Sequence, residues 1–76
     1  MKVKVYSTNT CPYCHMAKEF LSENKIEFDD INVQEDPKAG QEMVQKSGQM
    51  GVPVIEIDDN IIVGFDKDKI KELLKI

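Results

Sequence analysis

Val3-Lys4-Val5-Tyr6-Ser7, followed after three residues by Cys11-Pro12-Tyr13-Cys14, is the stretch that decides the fold. Val3 and Val5 alternate with Lys2 and Lys4, the period of a half-buried strand over Val3–Ser7. Thr10 then offers an N-cap hydroxyl for a helix running from about Pro12 to Glu23. Pro12 suits the first helical position, where its missing N–H costs nothing and its φ is already helical. Cys14, Ala17, Phe20 and Leu21 recur at helical spacing and mark the inward face. Cys11 and Cys14 therefore meet at a strand-to-helix junction, on one face of the first turn and close enough to bond.

The remainder of the chain continues the alternation of strand and helix. Phe28–Val33 reads as a second strand. Asp36-Pro37 caps and starts a second helix that carries Ala39, Met43 and Val44 inward and ends at Gly48. Val52–Ile57 is a third strand, Asp58-Asp59-Asn60 a turn, and Ile61-Ile62-Val63 its antiparallel partner. Asp66 caps a last helix with Ile70, Leu73 and Leu74 on one face. The order is β-α-β-α-β-β-α. Two helical crossovers predict parallel pairing of the first three strands, and the final hairpin is antiparallel. The expected architecture is α/β: a four-stranded mixed sheet with helices on both faces, the thioredoxin-like fold in a small form.

Composition narrows the classes of function. The 76 residues predict a single domain spanning 1–76, and 41% apolar content supplies one core without surplus. A net charge of −4 repels a phosphate backbone. Lys67, Lys69, Lys71 and Lys75 alternate with Asp66, Asp68 and Glu72, as on a solvated helix face, so no nucleic-acid partner is expected. No apolar run reaches the ~18 residues of a membrane span, and Met1-Lys2-Val3-Lys4-Val5 lacks a signal-peptide pattern. A monomeric, cytoplasmic protein is the expectation.

The two cysteines are the only ones in the chain. A disulfide across two residues restrains the unfolded chain little, so stability does not explain the pair. In a reducing compartment such a motif serves catalysis or metal binding. Thiol–disulfide exchange needs a thiolate, and the unpaired N–H groups of a helix N-terminus favour one at Cys11, lowering its pKa below the usual ~8.5. Cys14, one turn deeper, stays protonated and shielded until a mixed disulfide forms. Cys11 is thus the candidate attacking residue and Cys14 the resolving one, with Tyr13 pointing outward to shape a docking surface or simply to face solvent.

Cys11-x-x-Cys14-His15 also matches a c-type haem attachment motif, but without an export signal or a distant axial ligand. With His15 the pair supplies at most three donors where a closed zinc site takes four, so no metal is expected within the chain. An iron–sulfur or zinc site shared between two chains is the remaining binding-module alternative. Pro53 is the second candidate site. On the residues alone it is either an ordinary trans proline at a strand start or a cis proline that turns the Val52 backbone toward a peptide or thiol cosubstrate.

Three segments together resemble the glutaredoxins over nearly the whole length. They are Tyr6-Ser7 with Cys11-Pro12-Tyr13-Cys14, then Ser47-Gly48-Gln49-Met50-Gly51-Val52-Pro53, then Val63-Gly64-Phe65-Asp66-Lys67-Asp68. The resemblance implies a thiol–disulfide oxidoreductase with no tightly bound cofactor and glutathione as cosubstrate. It also implies a cis Val52–Pro53 bond, with the Val52 backbone and the loop around Asp66, Lys67 and Asp68 holding the glutathionyl group. Protein disulfides are the implied substrates. Four positions depart from the family pattern. Thr8 stands in place of a lysine, Met50-Gly51 in place of a cation and a threonine, and Phe65 in place of a second glycine. The lost cations normally pair with glutathione's carboxylates. The Gly64-Phe65 step is similar to the small glutaredoxin-like redoxins that serve ribonucleotide reductase and are recharged by thioredoxin reductase. The resemblance therefore leaves two electron sources, glutathione and thioredoxin reductase.

Overall fold

The computed structural model describes residues 2–49 and 51–76. Seven elements follow in the expected order: β1 (Val3–Ser7), α1 (Pro12–Glu23), β2 (Asp29–Asn32), α2 (Pro37–Ser47), β3 (Val54–Ile57), β4 (Asn60–Val63) and α3 (Lys67–Leu74). The strands form one mixed sheet in the order β2-β1-β3-β4. This is the thioredoxin-like fold.

Alternation within β1 sends its side chains to two separate cores. Val3 and Val5 face α1 and α3 and pack with Ala17, Phe20, Leu21, Ile55, Ile57, Ile62, Ile70 and Leu74. Tyr6 faces the other side, where Ala39 and Met43 of α2 close over it and Val54. Each buried Ile or Leu contributes roughly 1.5–3 kcal/mol over its exposed state, so the larger cluster dominates stability. Val44 and Leu73, expected inward, are only half-buried at the rims of these clusters.

Pairing departs from the expectation at one point. β1 and β2 are parallel, with Lys4 opposite Asp29 and Ser7 opposite Asn32. β3, however, runs antiparallel to β1, with Val3 opposite Ile57 and Tyr6 opposite Val54. The second helical crossover therefore does not yield a parallel pair. The cause is the course of α2, which packs against both β1 and β4 and so crosses the sheet instead of returning along it. Its 11 residues bring the chain back to the end of the sheet where β2 finished. Val54 thus starts β3 beside Tyr6, at the end from which β1 departs toward Cys11. The strand begins at Val54, two residues later than expected; Val52 lies in a bend and is joined to Pro53 by a cis peptide bond. β2 is likewise trimmed to Asp29–Asn32, with Phe28 packed against the core from outside the strand.

The helix boundaries follow local chemistry. Asp36 caps α2 by accepting the N–H groups of Lys38 and Ala39, and Gly48 ends it in the left-handed region at φ 76°. Asp66 caps α3 by accepting the N–H of Lys69. β3 and β4 meet through Asp58 and Asp59, with Asp58 at φ 53°, a conformation that aspartate tolerates. Among the described residues no helix is long and apolar enough to cross a membrane.

Candidate active site

The junction of β1 and α1 is built by polar side chains on both sides of the loop. Asn9 donates its N–H to Gln34 Oε1, and its own Oδ1 accepts Asn32 Nδ2. Asn32 Oδ1 in turn takes the N–H groups of Gln34 and Glu35. The loop carrying Thr8–Thr10 is thereby tied to the end of β2, which aims the first turn of α1.

Thr10 does not cap α1. The cap is Cys11 itself, extended at φ −100° and ψ 106°, with its Sγ accepting the Cys14 N–H at 3.1 Å. The reason is the turn at Asn9–Thr10, which leaves Cys11 as the last non-helical residue and puts its sulfur where a cap oxygen normally sits. Its carbonyl receives the His15 N–H at 3.2 Å, the first bond of the helix. Cys11 is half-buried and free, which leaves its sulfur open to solvent.

Cys14 is the opposite case. It is free but only 1% exposed, on the face that carries Ala17 and Leu21 into the core. Burial pushes its thiol up to about 12, assisted by the hydrogen bond and the charge of Cys11; the Thr8 backbone N–H and the Lys18 ammonium pull the other way. One sulfur of the pair is accessible and receives an N–H dipole, while the other is shielded and holds its proton. That asymmetry suits sequential attack.

The remaining candidates divide. Tyr13 is 62% exposed beside the pair, and Met16, one turn on, is also exposed. Pro53 is buried, follows a cis bond, and gives its carbonyl to the Gly64 N–H at 2.8 Å. Among the described residues no hydrogen bond takes the Val52 N–H or C=O. Gly51 is wrapped by Gln49, whose Oε1 accepts the Gly51 N–H at 2.6 Å. Met50 lies outside the described residues.

In the Asp66-Lys67-Asp68 segment two of the three side chains make contacts within the fold. The Asp66 carboxylate is engaged as a cap. Lys67 Nζ lies 5.5 Å from the centroid of Phe20, and Phe65 meets the same ring edge-on at 6.0 Å. Asp68 is exposed in the first turn of α3. His15, a possible metal donor in the sequence, is exposed and faces Glu19 at 3.7 Å. Among the described residues no cluster of three or more His, Cys, Asp or Glu side chains is placed to hold a metal.

One group was missed from the sequence. Ser7, 1% exposed, donates to Asp30 Oδ1 at 3.0 Å, and Lys18 donates to Asp30 Oδ2 at 3.1 Å. Positions 7, 18 and 30 share no local motif, so only the β1–β2 register and the phase of α1 bring them together.

Comparison with known proteins gives the family of the chain. The glutaredoxin family model matches residues 3–62. A glutaredoxin-like 8.6 kDa protein encoded in the rubredoxin operon of Clostridium pasteurianum is 52% identical over 73 residues, covering 96% of this chain and 97% of that one. The glutaredoxin-like protein NrdH of Lactococcus lactis is 43% identical over 93% of this chain and 97% of its own. Among solved structures, the NrdH-redoxin of Escherichia coli, described as having a thioredoxin-like activity profile, superposes with a TM-score of 0.84 at 32% identity, covering 96% and 95% of the two chains. The chain belongs to the glutaredoxin family and is a thiol–disulfide oxidoreductase.

Proposed function

We propose that this member of the glutaredoxin family reduces protein disulfides or glutathione mixed disulfides with Cys11 as the attacking sulfur and Cys14 as the resolving one. The observation that carries the assignment is the asymmetry of the pair: Cys11 is accessible and its Sγ accepts the Cys14 N–H, whereas Cys14 is buried and held protonated. The Cys11 thiolate attacks one sulfur of the substrate disulfide, and the other leaves as a thiolate. Cys14 then gives up its proton and attacks Cys11 Sγ, and the second substrate sulfur leaves. The substrate gains two electrons and the chain retains a Cys11–Cys14 disulfide for an external reductant to reopen. Sulfur exchange of this kind requires no bound organic cofactor or metal.

In this reading Tyr13 supports docking, the Val52 backbone and Pro53 receive an extended substrate, and Asp66, Lys67 and Asp68 flank a glutathionyl group. The protein works as one domain, as a monomer, in the reducing cytoplasm.

A second reading concerns the electron source. Lys67 is drawn to Phe20, Asp66 caps α3, and Thr8 and Phe65 stand where the family pattern supports glutathione. These observations favour thioredoxin reductase as reductant, in line with the activity profile described for the Escherichia coli NrdH-redoxin. The recipient is then ribonucleotide reductase, as in the redoxins the sequence resembles. Recycling of the oxidised protein by glutathione with glutathione reductase, compared with NADPH and thioredoxin reductase, tests this. Rapid turnover with thioredoxin reductase alone supports the second reading, and rapid turnover with glutathione alone rejects it. A potential of about −270 mV would accompany the former and about −200 to −230 mV the latter.

A further inference from the structure

Lys18 lies four residues beyond Cys14, one turn along the same face of α1. Its side chain is 26% exposed, and its ammonium is anchored on Asp30 Oδ2 at 3.1 Å. Asp30 Oδ1 is held in turn by the buried Ser7 hydroxyl at 3.0 Å. Three elements, β1, β2 and α1, thus converge on one carboxylate, and the charge it fixes is the lysine nearest in sequence to the resolving sulfur. A lysine serving solubility alone gains nothing from being fixed in this way, because an exposed pair adds little stability.

We propose that Lys18, positioned by Asp30 and Ser7, stabilises the negative charge that Cys14 Sγ carries while it attacks Cys11. The inference rests on the assignment of Cys14 as the resolving residue. In that step the Cys14–Cys11 bond forms and the bond from Cys11 to the substrate sulfur breaks. The proton Cys14 releases to water is matched by the one the departing thiolate takes up. The groups acting on the Cys14 thiol are Cys11 at the helix start, Lys18 on the helix, and the Thr8 N–H from the loop, with Asp30 of β2 paired to Lys18. Cys11, once bonded to substrate, no longer carries a charge. Lys18 is then the cation left acting on the sulfur from its own helix; its sign favours the reaction, and the Asp30 carboxylate that holds it opposes part of that effect. Lys18 acts through Cys14 and is in that sense a positioning residue.

Lys18→Gln removes the charge while keeping a group able to donate to Asp30, and Lys18→Arg keeps both. Stopped-flow release of a chromogenic thiol separates the two steps: formation of the Cys11 mixed disulfide, measured in a Cys14→Ser background, and resolution, measured with Cys14 present. With Lys18→Gln, resolution should slow about tenfold near neutral pH and its pH profile should move to higher pH, roughly one unit corresponding to that factor. Lys18→Arg should restore both. Resolution by Lys18→Gln at the wild-type rate and with the wild-type pH profile overturns the inference, as does a loss of thermal stability with an unmoved pH profile, which marks a purely structural staple. Failure of Cys11 to form any mixed disulfide in the Cys14→Ser protein overturns the assignment of the two sulfurs itself and, with it, the role of Lys18.

Discussion

The sulfur of Cys11 accepts the backbone N–H of Cys14 at 3.1 Å, so the first thiol of the pair caps the helix that buries the second. A hydroxyl or carboxylate at this position would satisfy the helix equally well, but it would not be a nucleophile. Placing a sulfur at the cap joins an accessible group to a backbone dipole and leaves its partner one turn inside the core.

Replacing each cysteine in turn should separate the two roles. Cys11→Ser is expected to abolish exchange with every substrate. Cys14→Ser should abolish reduction of protein disulfides yet retain turnover of a glutathione mixed disulfide, and mass spectrometry should find the trapped adduct on Cys11. An active Cys11→Ser protein would refute the assignment.

Burial of Cys14 also predicts a pH-dependent stability. An unfolded cysteine ionises near pH ~8.5, whereas the folded environment holds the Cys14 proton up to about 12. The folded value lies above the unfolded one, so the stabilisation is complete below about pH 8.5 and is lost as pH rises toward the folded value. The steepest decline is about 1.4 kcal/mol per pH unit. Urea denaturation of the reduced protein between about pH 8 and 10.5 should show this slope, and Cys14→Ser should lack it; equal slopes would rule the effect out.

Phe65→Gly tests whether aromatic packing closes the glutathione side of the site. Loss of the edge-on contact with Phe20 should lower stability by roughly 1–2 kcal/mol. Freed from the aromatic pair, the loop and Lys67 should accept glutathione better, raising glutathione-linked turnover relative to turnover with thioredoxin reductase. An unchanged ratio would confine Phe65 to packing.

The Tyr6 hydroxyl is buried and, among the described residues, lacks a hydrogen-bond partner. The Lys46 ammonium is close enough for Tyr6 to help raise its pKa, yet it is engaged first by Glu56 at 2.8 Å. Tyr6→Phe should therefore leave stability unchanged or raise it by up to about 1 kcal/mol. A loss of more than about 1 kcal/mol in denaturant titrations would mean that the hydroxyl is bonded to Lys46 in solution.

Several features were legible because their causes are local. The alternation of Val3, Lys4 and Val5 marks a strand whatever surrounds it, and Asp36-Pro37 and Gly48 bracket a helix through their own backbone preferences. The same holds for Asp66, whose carboxylate caps α3 within three residues. Cys11 as a cap was not legible, since sulfur is outside the usual set of capping groups and Thr10 is inside it. The direction of β3 was hidden for a different reason. A helical pattern over Pro37–Ser47 records which face is apolar but not whether the helix runs along the sheet or across it.

The amino-acid sequence by itself determined the order of elements, the dithiol at the head of α1 and, through three spaced segments, the family. These depend on periodicities and backbone preferences that act over a few residues. The tertiary structure alone decided which sulfur is shielded to what degree, that Lys67 turns toward Phe20, and that Ser7, Lys18 and Asp30 form one network. Each of these arises where residues far apart in the chain are brought together by strand register and helix phase. Burial and electrostatic coupling exist only after the sheet has assembled.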